Sequence, residues 1–115
     1  MNLQIFGTKK CKESKKAQLY FQERRIPFQF INLSEKELSK GELRSILNSV
    51  TLDSLIDTES KVYEDKNLKY MVYDKEEMLL ANPLLFKTPI VRDGKRATVG
   101  YVPEIWKNWI AESKK

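Results

Sequence analysis

The feature that most constrains this chain is a short apolar strand that turns at a glycine directly into a lysine-rich helix. Residues 2–6 (Asn2-Leu3-Gln4-Ile5-Phe6) read as a buried strand, Gly7-Thr8 as a turn, and Cys11 to Arg24 as a helix. On that helix Ala17, Tyr20 and Phe21 fall at i, i+3 and i+4, a core stripe, while lysines take the outer face. Pro27 ends the segment. Phe28-Gln29-Phe30-Ile31-Asn32-Leu33 follows as a second strand, with Phe28, Phe30 and Leu33 expected to point inward. Two strands joined through one helix pair in parallel.

The middle of the chain changes character. Ser34-Glu35-Lys36-Glu37 and Ser39-Lys40-Gly41-Glu42 both have the S-x-x-E form of a capping box. The second is expected to open a helix carrying Leu43, Ile46, Leu47 and Val50, and Thr51 or Asp53 to cap a short turn holding Leu52, Leu55 and Ile56. Thr58 to Tyr73 reads as short helical pieces and loops. Asp74-Lys75-Glu76-Glu77 starts a further helix ending near Asn82-Pro83. Strands then return: Pro89-Ile90-Val91-Arg92 and Lys95-Arg96-Ala97-Thr98-Val99 flank Asp93-Gly94, a two-residue hairpin signal. Pro103 suits the first turn of a last helix with Val102, Ile105, Trp106, Trp109 and Ile110 on its apolar face. The polar end Ser113-Lys114-Lys115 is expected to fray. The order implies one α/β domain over 1–115, with a mixed four-stranded sheet and a helical insertion over about 34–86.

Cys11 is the single cysteine and stands where the first helix begins. A lone cysteine is ordinarily an inert, buried small residue. Lys9, Lys10, Lys12, Lys15 and Lys16 surround this one, a poor setting for a core position. At a helix N-terminus the unpaired N–H groups and the helix dipole stabilise a thiolate, and nearby lysines act in the same direction. A reactive thiol is the first reading, and a cysteine by chance on a solvated basic helix start is the other. The chain has no histidine, which excludes Ser-His and Cys-His catalysis and most zinc sites. It holds no Walker loop and no dinucleotide fingerprint, so a thiol mechanism without bound cofactor or metal remains. No apolar run approaches the roughly 18 residues of a membrane span, and the N-terminus lacks the pattern of a secretory signal. One cysteine allows no internal disulfide, which points to a reducing, cytoplasmic setting. The net charge of +5 is concentrated in part around Cys11 and would favour anionic substrates, glutathione or an acidic protein surface. Direct nucleic-acid binding is not expected, since no recognition motif is present.

Several stretches together carry a resemblance. They are Ile5-Phe6-Gly7-Thr8-Lys9-Lys10-Cys11 with Ser14-Lys15-Lys16-Ala17, Ile26-Pro27-Phe28, and Ser60-Lys61-Val62-Tyr63. Asn82-Pro83-Leu84-Leu85-Phe86-Lys87-Thr88-Pro89-Ile90-Val91 and Val99-Gly100-Tyr101 complete the set. In this order they resemble the ArsC/Spx family: glutaredoxin-coupled arsenate reductases, Spx-type transcription regulators and reductase-like relatives. The resemblance implies a thioredoxin/glutaredoxin-like fold, with the thioredoxin-like part over about 1–33 and 87–115 and a helical subdomain inserted between. Cys11 matches the family's nucleophile. Pro89 matches the proline that is cis opposite the active cysteine, and the Thr88 backbone would then face Cys11 and pair with a bound peptide or glutathione. From sequence alone Pro89 also suits a trans proline opening an edge strand.

Departures from the family pattern are informative. Spx-type redox switches carry Cys-x-x-Cys, whereas here the second position is Ser14, which cannot resolve a mixed disulfide. Its hydroxyl would donate to the Cys11 thiolate or bond to backbone. Family arsenate reductases hold their oxyanion with three arginines. The matching positions are Glu59 (with Asp57 the other candidate), Thr88, and Val99 or Gly100, none of them arginine. Lys9, Lys10 and Lys12 offer a substitute anion clamp without the planar bidentate fork. The resulting expectation is a single-cysteine thiol–disulfide oxidoreductase. Its thiolate forms a mixed disulfide, resolved by glutathione, a glutaredoxin or a thioredoxin-type reductant, with a disulfide as substrate and an oxyanion such as arsenate less favoured. The competing expectation is an Spx-like regulator that binds RNA polymerase. A third keeps the fold with a retired active site.

Overall fold

The computed structural model describes residues 1–113. The fraying expected of Lys114 and Lys115 lies outside the described residues, and Ser113 is the last residue of a helix. Four strands, β1 (Leu3–Gly7), β2 (Phe28–Asn32), β3 (Ile90–Asp93) and β4 (Arg96–Val99), form one sheet in the order β2-β1-β3-β4. β1 runs parallel to β2 and antiparallel to β3, and β3 runs antiparallel to β4. The parallel pair follows from the crossover helix α1 (Lys12–Glu23), and the antiparallel pair from the hairpin. This is the mixed sheet that the element order implies.

Helices cover both faces. Leu3, Ile5 and Val91 pack against Ala17, Tyr20 and Phe21 of α1 and against Trp106 and Trp109 of the last helix, α6 (Pro103–Ser113). On the opposite face Phe6, Ile31 and Ile90 meet the inserted helices α2 (Lys40–Ile46), α3 (Leu52–Leu55), α4 (Lys61–Asp65) and α5 (Lys75–Ala81). Leu43, Ile46, Leu55 and Leu79 supply the buried contacts there. Each such side chain contributes roughly 1.5–3 kcal/mol by leaving water. Two-sided cover corrects the reading of β2. Ile31 and Leu33 are buried beneath the insertion, while Phe28 and Phe30 are only half-buried on the α1/α6 face at the sheet edge.

Local chemistry explains where elements start and stop. Ser39 and Glu42 complete a reciprocal capping box at α2, Thr51 caps α3, Ser60 caps α4 and Asp74 caps α5. The other S-x-x-E motif opens no helix; the Ser34 N–H is instead held by Asn32 Oδ1 at 3.0 Å. α2 is shorter than the spacing of Leu43 to Val50 implies. Beyond Ile46 the chain turns so that the Ser49 hydroxyl accepts the Ala97 N–H at 3.0 Å, which satisfies β4 on its open side. The hairpin loop is Gly94-Lys95 rather than Asp93-Gly94, because Asp93 pairs across the sheet with Arg96 and bonds its guanidinium at 3.0 Å. Gly94 then takes the first central position with φ +62°, where a two-residue turn favours glycine. On α6, Trp106 and Trp109 fill the inner face. Ile105, about 100° round the helix from Trp106, is exposed rather than part of that face.

Trp106 is fully buried, and its Nε1–H donates to the Thr98 Oγ1 at 2.8 Å. Thr98→Val removes the acceptor and strands the indole N–H, so we expect a loss of about 1–3 kcal/mol in urea unfolding. Thr98→Ser should retain most of the stability. Equal losses in the two variants would mean that the contact is one of packing and not a hydrogen bond.

Candidate active site

The sheet register brings the site together. Leu3 pairs with Asp93 and Phe6 with Ile90, so the chain that enters β3 through Thr88 arrives beside the loop that leaves β1. The chain leaves β1 through Gly7 and turns with the Cys11 N–H on the Thr8 carbonyl at 3.3 Å. Cys11 is the N-cap of α1, with extended backbone (φ −79°, ψ 116°). Its sulfur accepts the Ser14 N–H at 3.4 Å, the place a serine or aspartate oxygen takes in an ordinary cap. From the other side, the Thr88 Oγ1 donates to the sulfur at 3.1 Å, and the thiol faces the Thr88 carbonyl at 3.8 Å. The Thr88–Pro89 peptide is cis.

These contacts determine the ionisation of the thiol. Partial burial is the largest influence and raises the Cys11 pKa. The Ser14 and Thr88 side chains and the Ser14 and Glu13 backbone N–H groups act against it, and together they hold the thiol below its ordinary value. Of the two hydroxyls, Thr88 makes a bond of ordinary geometry. The Ser14 Oγ, wholly buried, finds no such partner among the described residues. Ser14 is packed against Gly7: a Cβ at Gly7 would lie 2.8 Å from the Ser14 Cβ and overlap its Oγ. Glycine at the end of β1 is therefore a requirement of close approach between strand and helix.

An open cleft of about 440 Å³ fronts the sulfur, lined by Thr8, Lys10, Cys11, Asp57, Ser60 and Lys61, with Pro83, Leu84, Phe86 and Thr88 closing it. Of the lysines read from sequence as a clamp, Lys10 lines this cleft, while Lys9 and Lys12 are exposed and outside its lining. Pro89 is buried behind Thr88, and its carbonyl accepts the Gly100 N–H at 2.8 Å. Of the two acids considered for the first arginine position, Asp57 is in the lining. Glu59 lies in a neighbouring hollow with Tyr63 and Tyr70. Neither hairpin arginine is in the lining. Arg92 bonds to Gln4 and the Gly94 carbonyl, and Arg96 to Asp93 and Glu112.

Lys61, Ser60 and Phe86 were given no role from the sequence, although Ser60 and Lys61 stand in the capping motif of α4. What seats them is a bridge between two loops. Ile56 pairs with Phe86, the Asp57 N–H donates to the Leu85 carbonyl at 2.9 Å, and the Lys87 N–H donates to the Leu55 carbonyl at 2.7 Å. A pairing this short leaves no periodic signal.

The site is thus a mixed four-stranded sheet whose first helix is capped by a hydrogen-bonded cysteine sulfur. The sequence profile of the ArsC family matches residues 6–109, and the chain belongs to the ArsC family. It is 31% identical over 102 residues to the global transcriptional regulator Spx of Staphylococcus aureus, covering 84% of this chain and 78% of that one. The arsenate reductase of Vibrio cholerae has the same fold, with TM-score 0.76 and 22% identity over 91% of this chain and 94% of that one. An arsenate reductase (ArsC) related protein from Brucella melitensis gives TM-score 0.66 and 23% identity, covering 96% of this chain and 95% of its own. Among the described residues no helix is long and apolar enough to cross a membrane.

Removing a donor from the sulfur costs the thiolate more than the thiol, so it raises the pKa. We expect Thr88→Val to move the alkylation midpoint of Cys11 to higher pH. Ser14→Ala should move it in the same direction by less and leave thermal stability unchanged or higher, because its buried hydroxyl acts on the sulfur without a hydrogen bond of ordinary geometry. A downward shift in either variant would contradict this account.

Proposed function

We propose that this chain is a cytoplasmic thiol–disulfide oxidoreductase of the ArsC family. The observation that carries the reading is the Cys11 sulfur, half-buried at an open cleft and accepting two hydrogen bonds that favour its anion. The thiolate attacks one sulfur of a disulfide, the S–S bond breaks, and the departing thiolate takes a proton from solvent. The mixed disulfide on Cys11 is then attacked by an external thiol, since no second cysteine stands in the chain. Glutathione or a glutaredoxin- or thioredoxin-type protein supplies that thiol.

Arsenate is a poor fit for the same cleft. As a dianion it must approach a thiolate, and stabilising such charge is usually the largest catalytic contribution. Two lysines line the cleft, but so does the acid Asp57, and the arginines of the hairpin are engaged elsewhere. We expect glutathione- and glutaredoxin-coupled arsenate turnover to be weak or absent. Exposure to oxidised glutathione should add one glutathione to the intact mass, absent in Cys11→Ser and removed by reduced glutathione. The absence of any adduct, or robust arsenate turnover, would contradict the proposal.

The 31% identity to Spx favours a second reading, a regulator that binds RNA polymerase. With serine at position 14, such binding would not be switched by an internal disulfide. Copurification with purified RNA polymerase, equal under oxidising and reducing conditions, would support it.

A further inference from the structure

The active-site cleft holds charges of both signs, and an oxyanion needs only one. Lys10 and Lys61 line it together with Asp57, and among the described residues none of the three is in an ion pair. The aspartate is held in place. Its N–H is bonded to the Leu85 carbonyl at 2.9 Å, and its carbonyl accepts the Ser60 hydroxyl at 2.7 Å. Its Oδ1 accepts the Glu59 N–H at 3.0 Å. The carboxylate is thus oriented by its own loop and not by a neighbouring cation. Pro83, Leu84 and Phe86 add an apolar wall to the same cleft. The volume of about 440 Å³ is within the range of small-molecule sites.

We propose that Asp57, set against Lys10 and Lys61, makes this cleft selective for disulfides that carry an ammonium beside a carboxylate, the zwitterionic head of an amino-acid thiol. The inference rests on the thiol–disulfide reading above and extends it to the kind of disulfide taken. Asp57 receives the ammonium by a charge-assisted hydrogen bond, the lysines receive the carboxylate, and the apolar wall carries the intervening methylenes. The reaction is unchanged: the Cys11 thiolate forms a bond to one sulfur, the other sulfur leaves as a thiolate, and solvent protonates it.

Three probes separate the charges. Cystamine carries ammonium groups alone, 5,5′-dithiobis(2-nitrobenzoate) carries carboxylates alone, and oxidised glutathione carries both. The readout is the second-order rate of mixed-disulfide formation at Cys11, followed by intact mass and expressed as the ratio of the cystamine rate to the nitrobenzoate rate. A ratio cancels any change in thiol ionisation common to all probes. Asp57→Asn should lower this ratio about two- to fivefold, the size of one ion pair in an open cleft, and Lys61→Gln should raise it. Asp57→Glu should retain most of the ratio, and oxidised glutathione should slow in both charge-removing variants. An unmoved ratio, or equal slowing of all three probes by Asp57→Asn as for a general base, overturns the selectivity and leaves the thiol–disulfide reading standing. If the native protein reacts with no probe faster than its urea-unfolded chain does, both readings fall together.

Discussion

Strand β1 is hydrogen-bonded on both sides, and the site depends on that. Its parallel partner β2 is reached only through α1, so the end of β1 must turn at once into a helix. Its antiparallel partner β3 begins where β1 ends, so the loop before β3 arrives beside the start of that helix. One strand therefore fixes Cys11 and Thr88, 77 positions apart in sequence, within hydrogen-bond distance of each other. Gly7 is the point of closest approach, because anything larger would collide with Ser14 in the first turn of α1.

A sulfur in the capping position couples local structure to chemistry. The N–H groups of the first helical turn have no partner within the helix, and the cap must satisfy one of them. A thiolate is a stronger acceptor than a thiol, so the same bond that starts α1 also favours the reactive form of Cys11. The five surrounding lysines are exposed and, among the described residues, in no ion pair. Lys10 lines the cleft, while the other four contribute a positive field over its mouth, and salt screens a field of that kind.

Much of this was legible in the sequence where a periodic or capping signal existed. The stripe of Ala17, Tyr20 and Phe21, the caps at Ser39 and Asp74, and Pro103 in the first turn of α6 all read directly from residue type and spacing, while the cap of α3, open between Thr51 and Asp53, falls to Thr51. β2 was harder, because a strand covered on both faces loses the alternation that marks its inner side. The hairpin loop was misplaced by one residue because the Asp93–Arg96 pair, a cross-strand contact, outranks the local preference of Asp-Gly. The family match puts Glu59 ahead of Asp57, yet Asp57 is the one that lines the cleft and Glu59 lies in the neighbouring hollow. The Ile56–Phe86 bridge decides it, and its two partners lie 30 positions apart with no pattern linking them.

The central claim is that the fold holds Cys11 as a ready nucleophile. The most direct measurement is a titration of the native protein followed by thiolate absorbance near 240 nm, with Cys11→Ser subtracted. The account predicts a midpoint below the free-thiol value of about 8.5, returning to that value when the chain is unfolded in urea. A native midpoint at or above about 8.5 would mean that burial outweighs the hydrogen bonds, and would contradict it.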